Sequence, residues 1–97
     1  MNFTFEWDDE KAKLNFKKHK VSFDEGKSVF NDPYSLTVSD PEHSIGEYRF
    51  LDIGYTSKGR PVVVYYTERG SNIRIIGCRN ATKIEIRVYE DERRKST

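Results

Sequence analysis

Little in the sequence would staple the chain, and nothing in it reads as an anchor or a targeting signal. Cys78 is the one cysteine among 97 residues, so no internal disulfide can form, and the cytoplasm is the compartment expected. No run approaches the ~20 apolar residues of a membrane-spanning helix. The N-terminal MNFTFEWDDE has neither a basic start nor an apolar stretch, so no targeting segment is expected. The two histidines, His19 and His43, stand 24 residues apart without zinc-ligand spacing. No glycine-rich loop is present to cradle a phosphate. The sequence therefore predicts no metal and no cofactor. Repeats, linkers and low-complexity segments are also missing, which leaves a single domain over residues 1–97.

What the chain does have is aromatic residues and charge. Six Tyr, six Phe and one Trp are more than a disordered chain carries, and they suit a thin, aromatic-rich core. Net charge is only +1, which argues against a stand-alone nucleic-acid binder. The distribution is uneven, however. Residues 1–68 carry 9 Lys and Arg against 12 Asp and Glu, whereas residues 69–97 carry 8 against 4. That bias points to an anionic ligand near the C-terminal end.

Hydrophobic periodicity gives the order of elements. Phe3, Phe5 and Trp7 alternate with polar residues and predict a short strand. Asp8 or Asp9 can cap a helix through KAKLNFKKHK, with Leu14 as its apolar anchor. Ser22 and Glu25 have capping-box spacing and open a second short helix to about Phe30, before the break at Asn31-Asp32-Pro33. Strands follow at Tyr34–Ser39, at EYRFLDIGY with Leu51, Ile53 and Tyr55 on one face, at Pro61–Arg69 and at Asn72–Arg79. The VVVYY run is apolar on both faces, as a central strand would be. Thr82 and Glu85 form another capping-box pair, and the last helix runs to about Arg93. The predicted fold is α+β in the order β-α-α-β-β-β-β-α, with a mostly antiparallel sheet and helices packed largely on one face.

Within RIIGCRNATKIEIRVYEDERR, Ile73 and Ile75 point to one side of the last strand and Arg74 to the other. Arg79 falls at the strand end, where alternation is unreliable. Lys83 and Arg87 share a helical face. Guanidinium forks of this kind bind phosphate oxygens and can stabilise a pentacovalent transition state. The same arginines could instead pair with Glu68, Glu85, Glu90 or Asp91 and dress the surface.

These residues resemble a known family. Arg74-Ile75-Ile76-Gly77-Cys78-Arg79-Asn80-Ala81-Thr82, followed by Glu85, Arg87, Tyr89 and Glu90, is similar to the C-terminal signature of BrnT toxins. FEWDDEKAKLNFKKHKVSF, VFNDP, the DPEHS loop, the Glu47-Tyr48-Arg49 step and the GYTSKGRPVVVYYTERG hairpin extend the likeness over nearly the whole chain. The resemblance implies a RelE-like fold and a metal-independent endoribonuclease toxin of a type II toxin–antitoxin pair. Such a toxin cuts RNA by 2′-hydroxyl attack, inhibits translation and growth, and is neutralised by a BrnA-like antitoxin. It further implies a toxin–antitoxin heterotetramer that meets operator DNA only through the antitoxin.

Carried over residue by residue, Arg74 and Arg79 would hold the scissile phosphate, and Glu85 or His19 would move the proton. Glu85 could alternatively only orient an arginine. Lys83, Arg87, Arg49 and His43 would be further RNA contacts. His43 could also act as a general acid or simply be solvated, and His19 could be structural at its helix C-terminus. Cys78 has Arg79 beside it, which could activate a thiol, though no catalytic base is evident. Where the family usually reads Ser-Ala-Arg-Lys, this chain has Gly77-Cys78-Arg79-Asn80. A Gly commonly follows the family's histidine, and here it is Lys20. These departures keep a second reading open: a catalytically weakened antitoxin-binding module that acts in operon autoregulation.

Overall fold

The structure, a computed structural model, describes residues 3–40 and 47–95. Strand β1 (Thr4–Glu6) leads into helix α1 (Asp9–His19). Helix α2 (Phe23–Gly26) continues as a 3-10 turn over Lys27–Asn31. Strands β2 (Leu36–Ser39), β3 (Arg49–Tyr55), β4 (Pro61–Arg69) and β5 (Asn72–Asn80) precede helix α3 (Lys83–Lys95). The sheet runs in the order β1-β5-β4-β3-β2. The β2–β3, β3–β4 and β4–β5 pairs are antiparallel, and β1 lies parallel to β5. Among the described residues no helix is long and apolar enough to cross a membrane.

Local chemistry explains where the helices start. The Asp8 carboxylate accepts from the Lys11 N–H at 3.0 Å, and the Ser22 hydroxyl accepts from the Glu25 N–H at 2.9 Å. Thr82 and Glu85 complete a reciprocal box, with bonds of 3.2 and 2.8 Å. Helix α1 ends in a left-handed residue, Lys20 (φ 62°), whose N–H reaches the Phe16 carbonyl. A Gly would sit there without Cβ strain.

The two faces of the sheet carry separate clusters. Val62, Val64 and Tyr66 of β4 join Ile73, Ile75 and Cys78 of β5 beneath Val21, Phe23 and Val29. Trp7 packs here as core, edge-on to Phe23 at 5.9 Å. On the opposite face Ile53 and Val63 meet Tyr89 of α3. So α1, α2 and the 3-10 turn cover one face, and α3 covers part of the other. The triple valine of β4 is fully buried, as its two-sided apolar pattern requires.

Leu14 does not anchor α1: it is 66% exposed, and the helix meets the core through Ala12 instead. Asn15 does the work expected of an apolar residue by other means. Its Nδ2 donates to the Cys78 carbonyl at 2.8 Å, and its Oδ1 accepts from the Cys78 N–H at 3.2 Å. A second Nδ2 bond runs to the Val21 carbonyl at 3.1 Å. Strand β1 pairs with β5 only as far as Arg74. Beyond it, the Asn15 amide takes the place of a neighbouring peptide and closes the free edge.

Candidate functional site

Register places three rows of side chains on the face that α3 only partly covers. Arg49, Thr67 and Arg74 form the first, Leu51, Tyr65 and Gly77 the second, and Ile53, Val63 and Arg79 the third. Strict alternation would send Arg74 and Arg79 to opposite faces. A bulge prevents this. Tyr65 pairs with Gly77 and Tyr66 with Ile75, so Ile76 is an extra residue that resets the alternation. Arg79 thereby joins Arg74 on one side of the sheet.

The two arginines do not converge. Their partners Thr67 and Val63 lie four residues apart on β4, about 13 Å at the usual strand rise. The nearer neighbour of Arg74 is Arg49, two strands away, at about 10 Å between backbones. Both side chains are partly exposed, and Arg74 gives one N–H to Glu6 at 2.9 Å. That bond, followed by one from Asn72, holds the Glu6 carboxyl below its ordinary value. Between the arginines, Thr67 is wholly buried, and its hydroxyl has no hydrogen-bond partner. Beside this row lies a depression of about 280 Å³ lined by Asp40, Arg49, Tyr65, Ile76 and Gly77.

Arg79 is held differently. Its Nη1 and Nη2 each meet a Glu85 carboxylate oxygen at 2.8 Å. Nε donates to the Tyr65 hydroxyl oxygen at 3.1 Å, and Nη1 also donates to the Asn80 carbonyl. One of the five guanidinium N–H groups is left. The Arg79 fork, aided by the Thr82 N–H, pulls Glu85 down to about 2. Glu85 is thus a carboxylate held against Arg79.

The remaining residues are scattered. His19 ends α1, which packs on the other face, and its carbonyl accepts from Asn80 Nδ2 at 3.4 Å. Lys83 and Arg87 stand on the exposed side of α3 with Ile84 and Val88 and do not line the depression. His43 lies outside the described residues. Cys78 is 1% exposed and faces the core, and burial pushes its thiol up to about 12. The neighbouring Arg79 does not activate it. Among the described residues no group of three or more His, Cys, Asp or Glu side chains is placed to hold a metal.

Sequence reasoning did not single out Tyr65, which lines the depression. It lies in a run that read as buried core, and only the cross-strand pairing with Gly77 places its half-buried ring there.

A family model described as the ribonuclease toxin BrnT of type II toxin–antitoxin systems matches residues 7–85. The chain belongs to the BrnT family. The 1.1 Å crystal structure of the Brucella abortus ribonuclease toxin BrnT superposes with a TM-score of 0.66, at 19% identity. The match covers 84% of this chain and 100% of the Brucella one, and it establishes a shared fold. No curated protein sequence matches the chain. In BrnT terms, the signature around Arg74–Thr82 forms strand β5, its bulge and the cap of α3. The Gly77 departure lines the depression.

Proposed function

We propose that this BrnT-family chain is a metal-independent endoribonuclease toxin, and that RNA lies over the guanidinium groups of Arg49 and Arg74 beside the depression. The observation that carries this reading is the row Arg49–Thr67–Arg74 beside the depression at Tyr65 and Gly77. Two guanidinium groups from different strands can reach one phosphodiester from both sides. RNA supplies its own nucleophile. The 2′-hydroxyl attacks the adjacent phosphorus, the 5′-oxygen leaves, and a 2′,3′-cyclic phosphate remains. The enzyme has to orient these atoms and neutralise the charge gathering on the phosphate oxygens. Arg49 and Arg74 do this by forked, charge-assisted hydrogen bonds. Arg79, with one N–H to spare, contributes as a fixed positive charge rather than as a clamp. Lys83 and Arg87 are outer contacts for a longer strand.

In this reading the toxin works in the cytoplasm, inhibits growth by RNA cleavage and is neutralised by a BrnA-like antitoxin in a heterotetramer. That antitoxin supplies any contact with operator DNA. The alternative, a catalytically weakened antitoxin-binding module, draws on the Arg79–Glu85 pair. A guanidinium already forked onto a carboxylate is a poor phosphate ligand.

Product chemistry separates the two. The purified chain in EDTA is expected to cut labelled RNA and leave 2′,3′-cyclic phosphate and 5′-hydroxyl ends. Folded protein that leaves the RNA intact with and without ribosomes would favour the binding module. Cutting that EDTA abolishes would overturn the metal-independent mechanism.

A further inference from the structure

Tyr65 occupies the centre of the three rows, flanked by Leu51 on β3 and Gly77 on β5. Its hydroxyl oxygen accepts the Arg79 Nε–H at 3.1 Å, and the Arg79 guanidinium carbon lies 5.6 Å from the ring centroid. Arg79 cannot swing away easily, because Glu85 grips it with two bonds of 2.8 Å. One lone pair of the phenol is therefore committed to a fixed cation. The phenol's own O–H has no acceptor among the described residues, and the Tyr65 side chain lines the 280 Å³ depression. Gly77 keeps that space open. A Cβ there would touch Tyr65 Cδ2 and Asn15 Oδ1, each at 3.8 Å, and would narrow the depression.

We propose that Tyr65 is the general acid of RNA cleavage, giving its phenolic proton to the departing 5′-oxygen. The assignment rests on the ribonuclease reading above. As the 2′-oxygen bonds to phosphorus and loses its proton to water, the P–O5′ bond breaks and its electron pair goes to O5′. That oxygen takes the Tyr65 proton and leaves as an alcohol. The phenolate left behind faces the Arg79 guanidinium, which stabilises its charge. Water returns the proton. This gives the Glu85–Arg79 pair a purpose. An arginine fully engaged by a carboxylate cannot clamp a phosphate, but it can hold and electrostatically support a neighbouring acid. Arg79 and Glu85 are then positioning residues acting through Tyr65.

The test compares two RNA substrates that differ in one atom. One has the ordinary 5′-oxygen at the cleaved linkage. The other has a bridging sulfur there, whose thiolate leaves without needing a proton. Tyr65→Phe keeps the ring and removes only the hydroxyl, and its thermal unfolding midpoint checks the fold. The variant is expected to cut the oxygen substrate about a hundredfold more slowly than the parent and the sulfur substrate at nearly the parent rate. Equal slowing on both substrates would overturn the assignment, since it would place the hydroxyl in binding or structure. An unchanged rate on the oxygen substrate would do the same. If the parent cuts neither substrate, the ribonuclease reading itself fails and takes the acid with it, an outcome distinct from either of the others.

Discussion

Glu85 shows how one side chain can serve helix and sheet at once. One carboxylate oxygen accepts the Thr82 N–H that α3 would otherwise leave orphaned, and both oxygens grip Arg79. Its folded pKa, about 2, lies below the ordinary value of 4.5, chiefly because of the hydrogen bonds from Arg79. Stabilisation from a lowered carboxylate is fully present above about pH 4.5 and is lost as pH falls through the folded value. Glu85→Gln should therefore cost on the order of 1–3 kcal/mol at pH 7, discounted for the partial exposure of the pair. Denaturant titrations should find the gap between parent and variant closing as pH drops from 4.5 towards 2. A gap that stays constant over that window would mean that charge is not what holds the pair. The sequence did reveal the Thr82–Glu85 box, because capping depends on spacing within four residues. Whether Glu85 would serve Arg79 or a substrate was hidden, since that depends on where a bulge turns Arg79.

Among the elements, α1 and the edge of β5 are joined by polar rather than apolar contact. The periodicity of α1 pointed to Leu14, yet that residue faces solvent while Asn15 ties the helix to the Cys78 peptide. Hydropathy patterns register only apolar burial, so an amide that substitutes for a strand neighbour escapes them. Asn15→Ala would leave the Cys78 N–H and C=O and the Val21 carbonyl without their partner. It should destabilise the fold by about 2–3 kcal/mol in chemical denaturation. A loss under about 0.5 kcal/mol would show that water replaces the amide freely. Helix α3 is fastened at its far side by Asp32. That carboxylate accepts from the Tyr34 and Tyr55 N–H groups and, at 2.7 Å, from the Tyr89 hydroxyl. The sequence marked Asn31-Asp32-Pro33 as a break, and the structure makes it a junction of loop, sheet and helix. The Ile76 bulge left no trace in the pattern of apolar residues. It follows from a register between β4 and β5 that only the assembled sheet defines.

For the molecule as a whole, charge asymmetry and strand order place cations on one face of a sheet whose other face is core. The balance of residues 69–97 located the basic region, but only the register across three strands brought Arg49 beside Arg74 and moved Arg79 about 13 Å away. Tyr65 was illegible for the same reason, being one aromatic in an apolar run until the register set it opposite Gly77 at the depression. The central claim is that cleavage depends on the Arg49–Arg74 row and not on basic charge in general. Its most direct test is the single-turnover cleavage rate of one labelled RNA by the parent and by Arg49→Ala, Arg74→Ala and Lys13→Ala. The first two variants should lose about a hundredfold or more, as expected when a transition-state charge loses its donor. Lys13→Ala, on the exposed side of α1, should stay within roughly threefold of the parent at physiological salt. Equal losses in all three, or an Arg74→Ala enzyme as fast as the parent, would contradict the account.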